Sequence, residues 1–401
     1  MTSPVLPEPT AAPNGTAPAL HFPLYDRAQH LGVLDGHSAL IIAPTATGKS
    51  YIGREAIRRA IDRKAKETHA YLVPYRALAE EVHDAFAHEL SATDARIRIS
   101  TGDHRDPLRP EEAELIVATY ESFAAVLQRS AFRPGTIVAD EIHLIADHDR
   151  GPGVEGLFAR LLSRNHMGAL CALSAVIQNG KDLAEWLGVP LLEGTLADRP
   201  VPLKLEHELA RDLDEALQRR LHPCTNGERA LVFCNSPSKP IRRHIEQAFR
   251  DKLIRVIAST PTLAAGVNLP ADIVVVRDVF RGDTVRGTFR QVLIPSGEVL
   301  NMLGRAGRPH QVEAGTGVAL IHSNGRRHAE IEQLTKAVEA GKGGDVESRL
   351  PESFEGIMRF VLATKISCTC PAASQFYRGQ ICKHQACAIH DLLFEKNVPA
   401  E

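Results

Sequence analysis

Net charge, cysteine and long apolar runs are all scarce in this chain, and each shortage argues against a class of function. The formal net charge is −2 over 401 residues. There is thus no global basic field of the kind that purely electrostatic nucleic-acid binders carry, and any contact with nucleic acid has to be local. Cysteine occurs seven times; an odd number in a long chain argues against a secreted disulfide framework and for a reducing, cytoplasmic setting. No apolar run approaches the ~18 residues that span a bilayer, so no membrane partner is expected. Residues 1–20 are rich in Pro and Ala with Glu8 as the single charge; they have neither the basic start nor the apolar core of a signal peptide and read as a disordered tail. The one tryptophan, Trp186, reads as a core aromatic, and no internal repeat is evident.

What the chain does have is 44% hydrophobic residues, enough for two ordinary cores and an appendage, since single domains run to ~100–200 residues. Over residues 21–200 the apolar runs "SALIIAP", "HAYLVP", "RIRIST", "LIVATY", "TIVADE" and "ALCALSA" alternate with helical patterns, the order a doubly wound parallel sheet requires. Leu78, Val82, Ala85 and Phe86 form one helical stripe, and Val154, Leu157, Phe158, Leu161 and Leu162 another. The joint near "LADRPVPL" breaks both periodicities. A second, smaller α/β lobe follows over 201–340, with "RALVFCNS", a helix carrying Ile241, Ile245, Ala248 and Phe249, then "IRVIAST", "DIVVVRDV" and "GVALIHS". Residues 345–398 hold a helix with Phe354, Ile357, Met358 and Val361 and then a Cys/His cluster.

The chemistry starts at "ALIIAPTATGKSYIG", where an apolar strand, a tight turn and a helix follow one another. A glycine-bearing loop that opens a helix aims backbone N–H groups and the helix dipole at an anion. Lys49 would reach the β and γ phosphates of a nucleotide and the Ser50 hydroxyl would bind Mg²⁺. The turn opens with Ala43 where the usual pattern has Gly, and the bland alternative is an ordinary turn with a solvated lysine. "TIVADEIHLI" supplies the other half: a strand ending in Asp140 and Glu141 projects two carboxylates at the carboxyl edge of the sheet. Asp140 would hold Mg²⁺ while Glu141 orients and deprotonates the attacking water. Capping of the following segment is the competing role for the pair.

With both pieces on one lobe, the remaining segments resemble the ordered motifs of superfamily 2 DExH-box helicases from about residue 24 to 310. The nearest wording is that of the branch holding archaeal repair DNA helicases and exosome-associated RNA helicases. "LYDRAQ" resembles the adenine-reading element, with Gln29 on the base edge; "VPYRALAEE", "STGD" and "VATYES" resemble strand-gripping motifs; "DEIH" resembles the hydrolysis motif and "LSAV" the coupling motif; "LVFCNS", "STPTLAAGVNLPA" and "NMLGRAGRP" resemble the three motifs of the second lobe. The resemblance implies two RecA-like lobes with ATP between them, contacted by Gln29, Thr45, Thr47, Gly48, Lys49, Ser50, Asp140, Gly266 and Asn268. It also implies a grip on a sugar-phosphate chain by Arg76, Thr101, Gly102 and Thr119 of the first lobe and Asn235, Thr260 and Thr262 of the second. The charge that builds on the transferred phosphoryl group calls for a guanidinium from the second lobe. Arg305 and Arg308 are the candidates, Arg308 standing at the family's finger position.

Three departures from the pattern stand out. Val176 replaces the usual Thr of the coupling motif, Asn301 replaces the usual Gln at the head of the last motif, and Ser236–Ile257 leaves room for one helix, which makes the second lobe a trimmed one. At the C-terminal end, "SCTCPAASQFYRGQICKHQACAIH" puts four cysteines within 20 residues. Cys368 and Cys370 at i, i+2 point the same way on an extended strand, and Cys382 with His384 repeats the hook, giving an S₃N set suited to structural Zn²⁺, with Cys387 and His390 as alternative ligands that otherwise read as core or surface residues. The arrangement resembles the SWIM zinc finger. A closed four-ligand site leaves no open position, so its expected role is structure or recruitment of DNA or a protein partner. The expected activity is ATP-dependent movement along, or unwinding of, nucleic acid, DNA favoured over RNA. An ATP-gated clamp without processive unwinding is the alternative.

Overall fold

The computed structural model describes residues 22–63, 67–102, 109–129, 133–163, 167–234, 255–259, 271–285, 288–307, 314–322 and 327–348. The expected tail, the helix over Ile241–Phe249 and the Cys/His cluster lie outside these residues.

The first lobe opens with α1 (Pro23–His30), whose Pro at the first turn lacks only an N–H that no helix partner would use. It continues through β1 (Ala39–Ile42), α2 (Lys49–Arg63), β2 (His69–Val73), α3 (Arg76–Glu89), β3 (Ile97–Ser100), β4 (Leu115–Thr119), α4 (Tyr120–Arg129), β5 (Thr136–Ala139), α5 (Gly151–Ser163), β6 (Ala169–Ser174), α6 (Gly180–Leu187) and β7 (Leu191–Glu193). All seven strands pair in parallel in the order β3-β4-β2-β5-β6-β1-β7. Each of the six apolar runs read from the sequence is a strand of this sheet. Their side chains alternate between two cores. Leu40, Ile42, Leu72, Ile116, Ile137 and Leu170 pack with Phe123, Phe158 and Leu183 on one face, while Ile41, Tyr71, Val117, Val138 and Leu173 pack with Leu24, Ile52 and Phe86 on the other. Burial on both faces is why the inner strands read as nearly unbroken apolar runs, whereas β3, at the sheet edge, alternates Ile97 and Ile99 with Arg98 and Ser100.

The second lobe holds β8 (Leu203–Ala210), α7 (Leu213–Leu221), β9 (Ala230–Phe233), β10 (Val256–Ser259), β11 (Ile273–Val276), the hairpin β12 (Phe280–Val285) and β13 (Thr288–Leu293), α8 (Ser296–Leu303), β14 (Gly315–His322) and α9 (His328–Ala340). Its sheet is parallel, in the order β10-β9-β11-β14-β8, and β12 and β13 form a separate antiparallel ribbon. Two parallel-sheet, RecA-like lobes are thus present. β7, β8 and the ribbon were not read from the sequence. β8 pairs with β14 over its whole length, but its outward residues Lys204, Glu206 and Glu208 hide the alternation of Leu203 and Leu205, which pack on the core. Trp186 is not a core residue: it lies on α6 with 37% of its surface exposed. Among the described residues no helix is long and apolar enough to cross a membrane.

Candidate active site

β1 ends at Ile42, and the chain then turns tightly before α2 begins at Lys49. Two left-handed residues make that turn, Ala46 with φ 62° and Gly48 with φ 95°; the first is a position where a side chain is disfavoured and the second is where glycine is at home. The Thr47 hydroxyl donates to Pro44 O at 2.8 Å and closes the loop from inside. The ring of Phe22 covers the open side of Gly48, where any side chain would meet it at 2.9 Å. Lys49 is buried and folded back so that Nζ donates to Ala43 O, and to Pro44 O at 2.9 Å. Burial pushes its pKa down, and Glu141 and Asp140 oppose that shift.

Those two carboxylates arrive from β5. Asp140 is buried at the strand end and receives Tyr71 Oη at 3.2 Å on Oδ2 and the Glu141 N–H at 3.0 Å on Oδ1, while Tyr120 Oη donates to its backbone carbonyl at 2.6 Å. Burial and the neighbouring Glu141 raise its pKa from 3.8 to about 7, against the pull of Lys49 and Tyr71. Glu141 adopts the left-handed conformation, φ 55° and ψ 46°, which turns its side chain out of the strand line toward His143. Glu141 Oε2 lies 3.4 Å from His143 Nδ1, and the same nitrogen is 3.3 Å from Ser174 Oγ at the end of β6. Burial lowers the pKa of His143, which favours the neutral ring. Mg²⁺ fits this site: Ser50, exposed at the start of α2, and Asp140 offer the hard oxygen donors that the ion takes. Among the described residues no group of three or more His, Cys, Asp or Glu is arranged for a metal.

The second lobe meets this loop through the end of α8. A side chain at Gly304 would meet Thr45 Oγ1 at 1.8 Å, so only a glycine permits the approach. Arg305 follows directly, with its N–H on Met302 O at 3.1 Å; Arg308 lies outside the described residues. Val176 and Asn301, the two substituted motif positions, line one cleft together with Thr45, Leu300 and Gly304. Gln29 is exposed on α1, two residues after Arg27, whose guanidinium holds Glu193 O at 3.0 Å and Asp198 Oδ2 at 2.8 Å.

The first-lobe candidates for nucleic-acid contact gather at the carboxyl edge of the sheet. Arg76 starts α3 and its guanidinium packs over Gly102, so a side chain there would displace it. Thr101 is buried after β3, and Thr119 uses its hydroxyl to accept the Ser122 N–H at 3.4 Å at the head of α4. Asn235, Thr260, Thr262, Gly266, Asn268, Cys368, Cys370, Cys382 and His384 lie outside the described residues. Four residues of the site went unnoticed in the sequence: Phe22, His143, Ser174 and Arg199. Phe22 had a signal, an aromatic next to the Gln29 element, and His143 had one in the last letter of "DEIH"; Ser174 and Arg199 act through partners distant in sequence.

Residues 28–183, which include the turn before Lys49 and the Asp140–Glu141 pair, match the DEAD/DEAH box helicase family. Over a longer stretch the chain is similar to proteins named ATP-dependent DNA helicase Hel308. It is 30% identical to that of Aeropyrum pernix over 416 aligned positions, which cover 84% of this chain and 54% of the relative. It is 30% identical to that of Thermoplasma volcanium over 363 positions (74% and 52%) and 31% identical to that of Methanocella arvoryzae over 391 (77% and 52%). The chain spans about half the length of these curated relatives. The first alignment is longer than the chain itself, so the relative carries residues for which this chain has no counterpart.

Proposed function

We propose that this chain hydrolyses ATP in the cleft between residues 21–200 and 201–340 and uses the cycle to move along or unwind nucleic acid. The observation that carries this is the convergence of Lys49, Asp140 and Glu141 on one loop, with Gly304 of the second lobe against Thr45 of that loop. Lys49 neutralises phosphate charge, Asp140 and Ser50 hold Mg²⁺, and Glu141 takes the proton of the attacking water with His143 at its side. The metal supplies charge neutralisation on the phosphates when bound. Thr45, Thr47, Gly48, Gly266 and Asn268 line the nucleotide, Gln29 reads the base, and Arg305 and Arg308 balance the charge on the phosphoryl group. Arg76, Thr101, Gly102, Thr119, Asn235, Thr260 and Thr262 grip the strand through its backbone. The similarity to DNA helicases favours DNA over RNA. Cys368, Cys370, Cys382 and His384 hold a structural zinc in a SWIM-type module that recruits DNA or a partner.

The test is steady-state ATPase with and without single-stranded DNA and RNA, followed by unwinding of a tailed duplex. Strand-stimulated turnover that falls by at least about 100-fold in Lys49→Ala and Glu141→Gln is expected. Equal turnover with and without a strand argues against a motor. Stimulation without any strand separation identifies an ATP-gated clamp.

A further inference from the structure

Arg199 sits in the crossing between the lobes, six residues after β7 ends and four before β8 begins, and it is buried. Five backbone carbonyls accept from its guanidinium. Nε donates to Val201 O at 3.2 Å; Nη1 donates to Thr45 O at 2.9 Å and to Gly304 O at 3.0 Å; Nη2 donates to Ala306 O at 2.6 Å and Gly307 O at 2.9 Å. An arginine has five N–H donors in a fixed planar fork, so this set uses all of them. Thr45 belongs to the phosphate loop, Gly304–Gly307 to the segment that carries Arg305 and leads to Arg308, and Val201 to the crossing itself. The charge is tolerated in the interior because it faces the carbonyl end of α8, where unpaired C=O groups concentrate partial negative charge. The same positive charge also helps to lower the pKa of Lys49.

We infer that Arg199 is a positioning residue for ATP hydrolysis: it ties the phosphate loop and the Gly304–Gly307 segment to the hinge, so that the guanidinium-bearing segment is presented to the nucleotide in one register. The inference rests on the ATPase reading above. Nucleotide affinity depends chiefly on Lys49 and the N–H groups of the loop, which Arg199 does not supply, whereas turnover depends on where the segment from the second lobe stands. A displacement of about 1 Å there is of the size that costs roughly 100-fold in rate. Lysine keeps the charge but has three donors on one atom and no planar fork, so it cannot hold all five carbonyls in one register.

The experiment measures fluorescent ADP affinity, single-strand-stimulated kcat and thermal midpoint for the parent, Arg199→Lys and Arg199→Ala. The parent is assayed first: absence of strand stimulation there removes the motor reading, independently of Arg199. With stimulation present, we expect ADP affinity within about threefold of the parent and kcat reduced by about tenfold or more in both variants, Lys failing to rescue. A kcat within twofold of the parent in folded Arg199→Lys overturns the inference. A parallel fall of affinity, kcat and midpoint also overturns it, because that pattern marks a structural arginine only. If neither variant folds, Gly304→Ala disturbs the other end of the contact by pressing a methyl on Thr45, and the same split between affinity and kcat is required of it.

Discussion

Asp140 carries the charge problem of the whole site. Its carboxyl is buried beside Glu141 and its pKa is raised from 3.8 to about 7, so the folded, nucleotide-free chain takes up a proton between those values that the unfolded chain does not. Stability therefore falls as pH rises from about 4 to about 7, and no further above that. Asp140→Asn removes this contribution. Urea midpoints measured at about pH 5.5 and about pH 8 should differ less for the variant than for the parent, and an unchanged difference would refute the assignment. Mg²⁺ with ATP needs the ionised form, so binding at about pH 7 should release a fraction of a proton, visible as a dependence of the calorimetric heat on buffer ionisation. His143 shows the opposite response. Burial lowers its pKa, which favours the neutral ring between Glu141 and Ser174.

At the scale of elements, the segment after α9 ties the lobes together. Having completed the second lobe, the chain runs back across the first. Gly343 N donates to Val176 O at 3.2 Å, Gln178 N donates to Gly344 O at 3.3 Å, and the Asn179 amide makes two bonds of 2.8 Å with the N–H and C=O of Val346. Val346 packs on the first-lobe core and Ser348 Oγ donates to Glu155 at 2.7 Å. The coupling segment, Val176 included, thus lies under this strap. Asn179→Ala deletes both amide bonds, which should cost about 1 to 2 kcal/mol. Hydrogen exchange at Gly343 and Val346 should accelerate while the strands of the first sheet keep their protection; equal protection in the variant would show that the strap is held by other contacts. Strands were legible where both faces are apolar, as in β1, β2, β4 and β6. They were hidden where one face is charged, as in β8 with Glu206 and Glu208 paired to Arg219 and Arg220, or where the strand is as short as β7.

For the molecule as a whole, the strap ends at Ser348, where the described residues stop and the chain leads into the Cys/His cluster. If Cys368, Cys370, Cys382 and His384 close a zinc site, purified protein should carry about one equivalent of Zn, and Cys370→Ser should lose it along with local folding. Less than about half an equivalent rules the four-ligand set out. Motif spacing alone located the turn before Lys49, the Asp140–Glu141 pair and the alternating strands and helices of the first lobe, because each is a local pattern: a turn between strand and helix, a strand end, a short apolar run. Only the tertiary structure decided that Arg199 bridges Thr45 and Gly304, that His143 stands between Glu141 and Ser174, and that Val176 and Asn301 share a cleft. Those contacts join residues as many as 154 positions apart. Their partners are mostly backbone carbonyls or packed surfaces, which leave no trace in residue type and exist only once the sheets have brought the loops together.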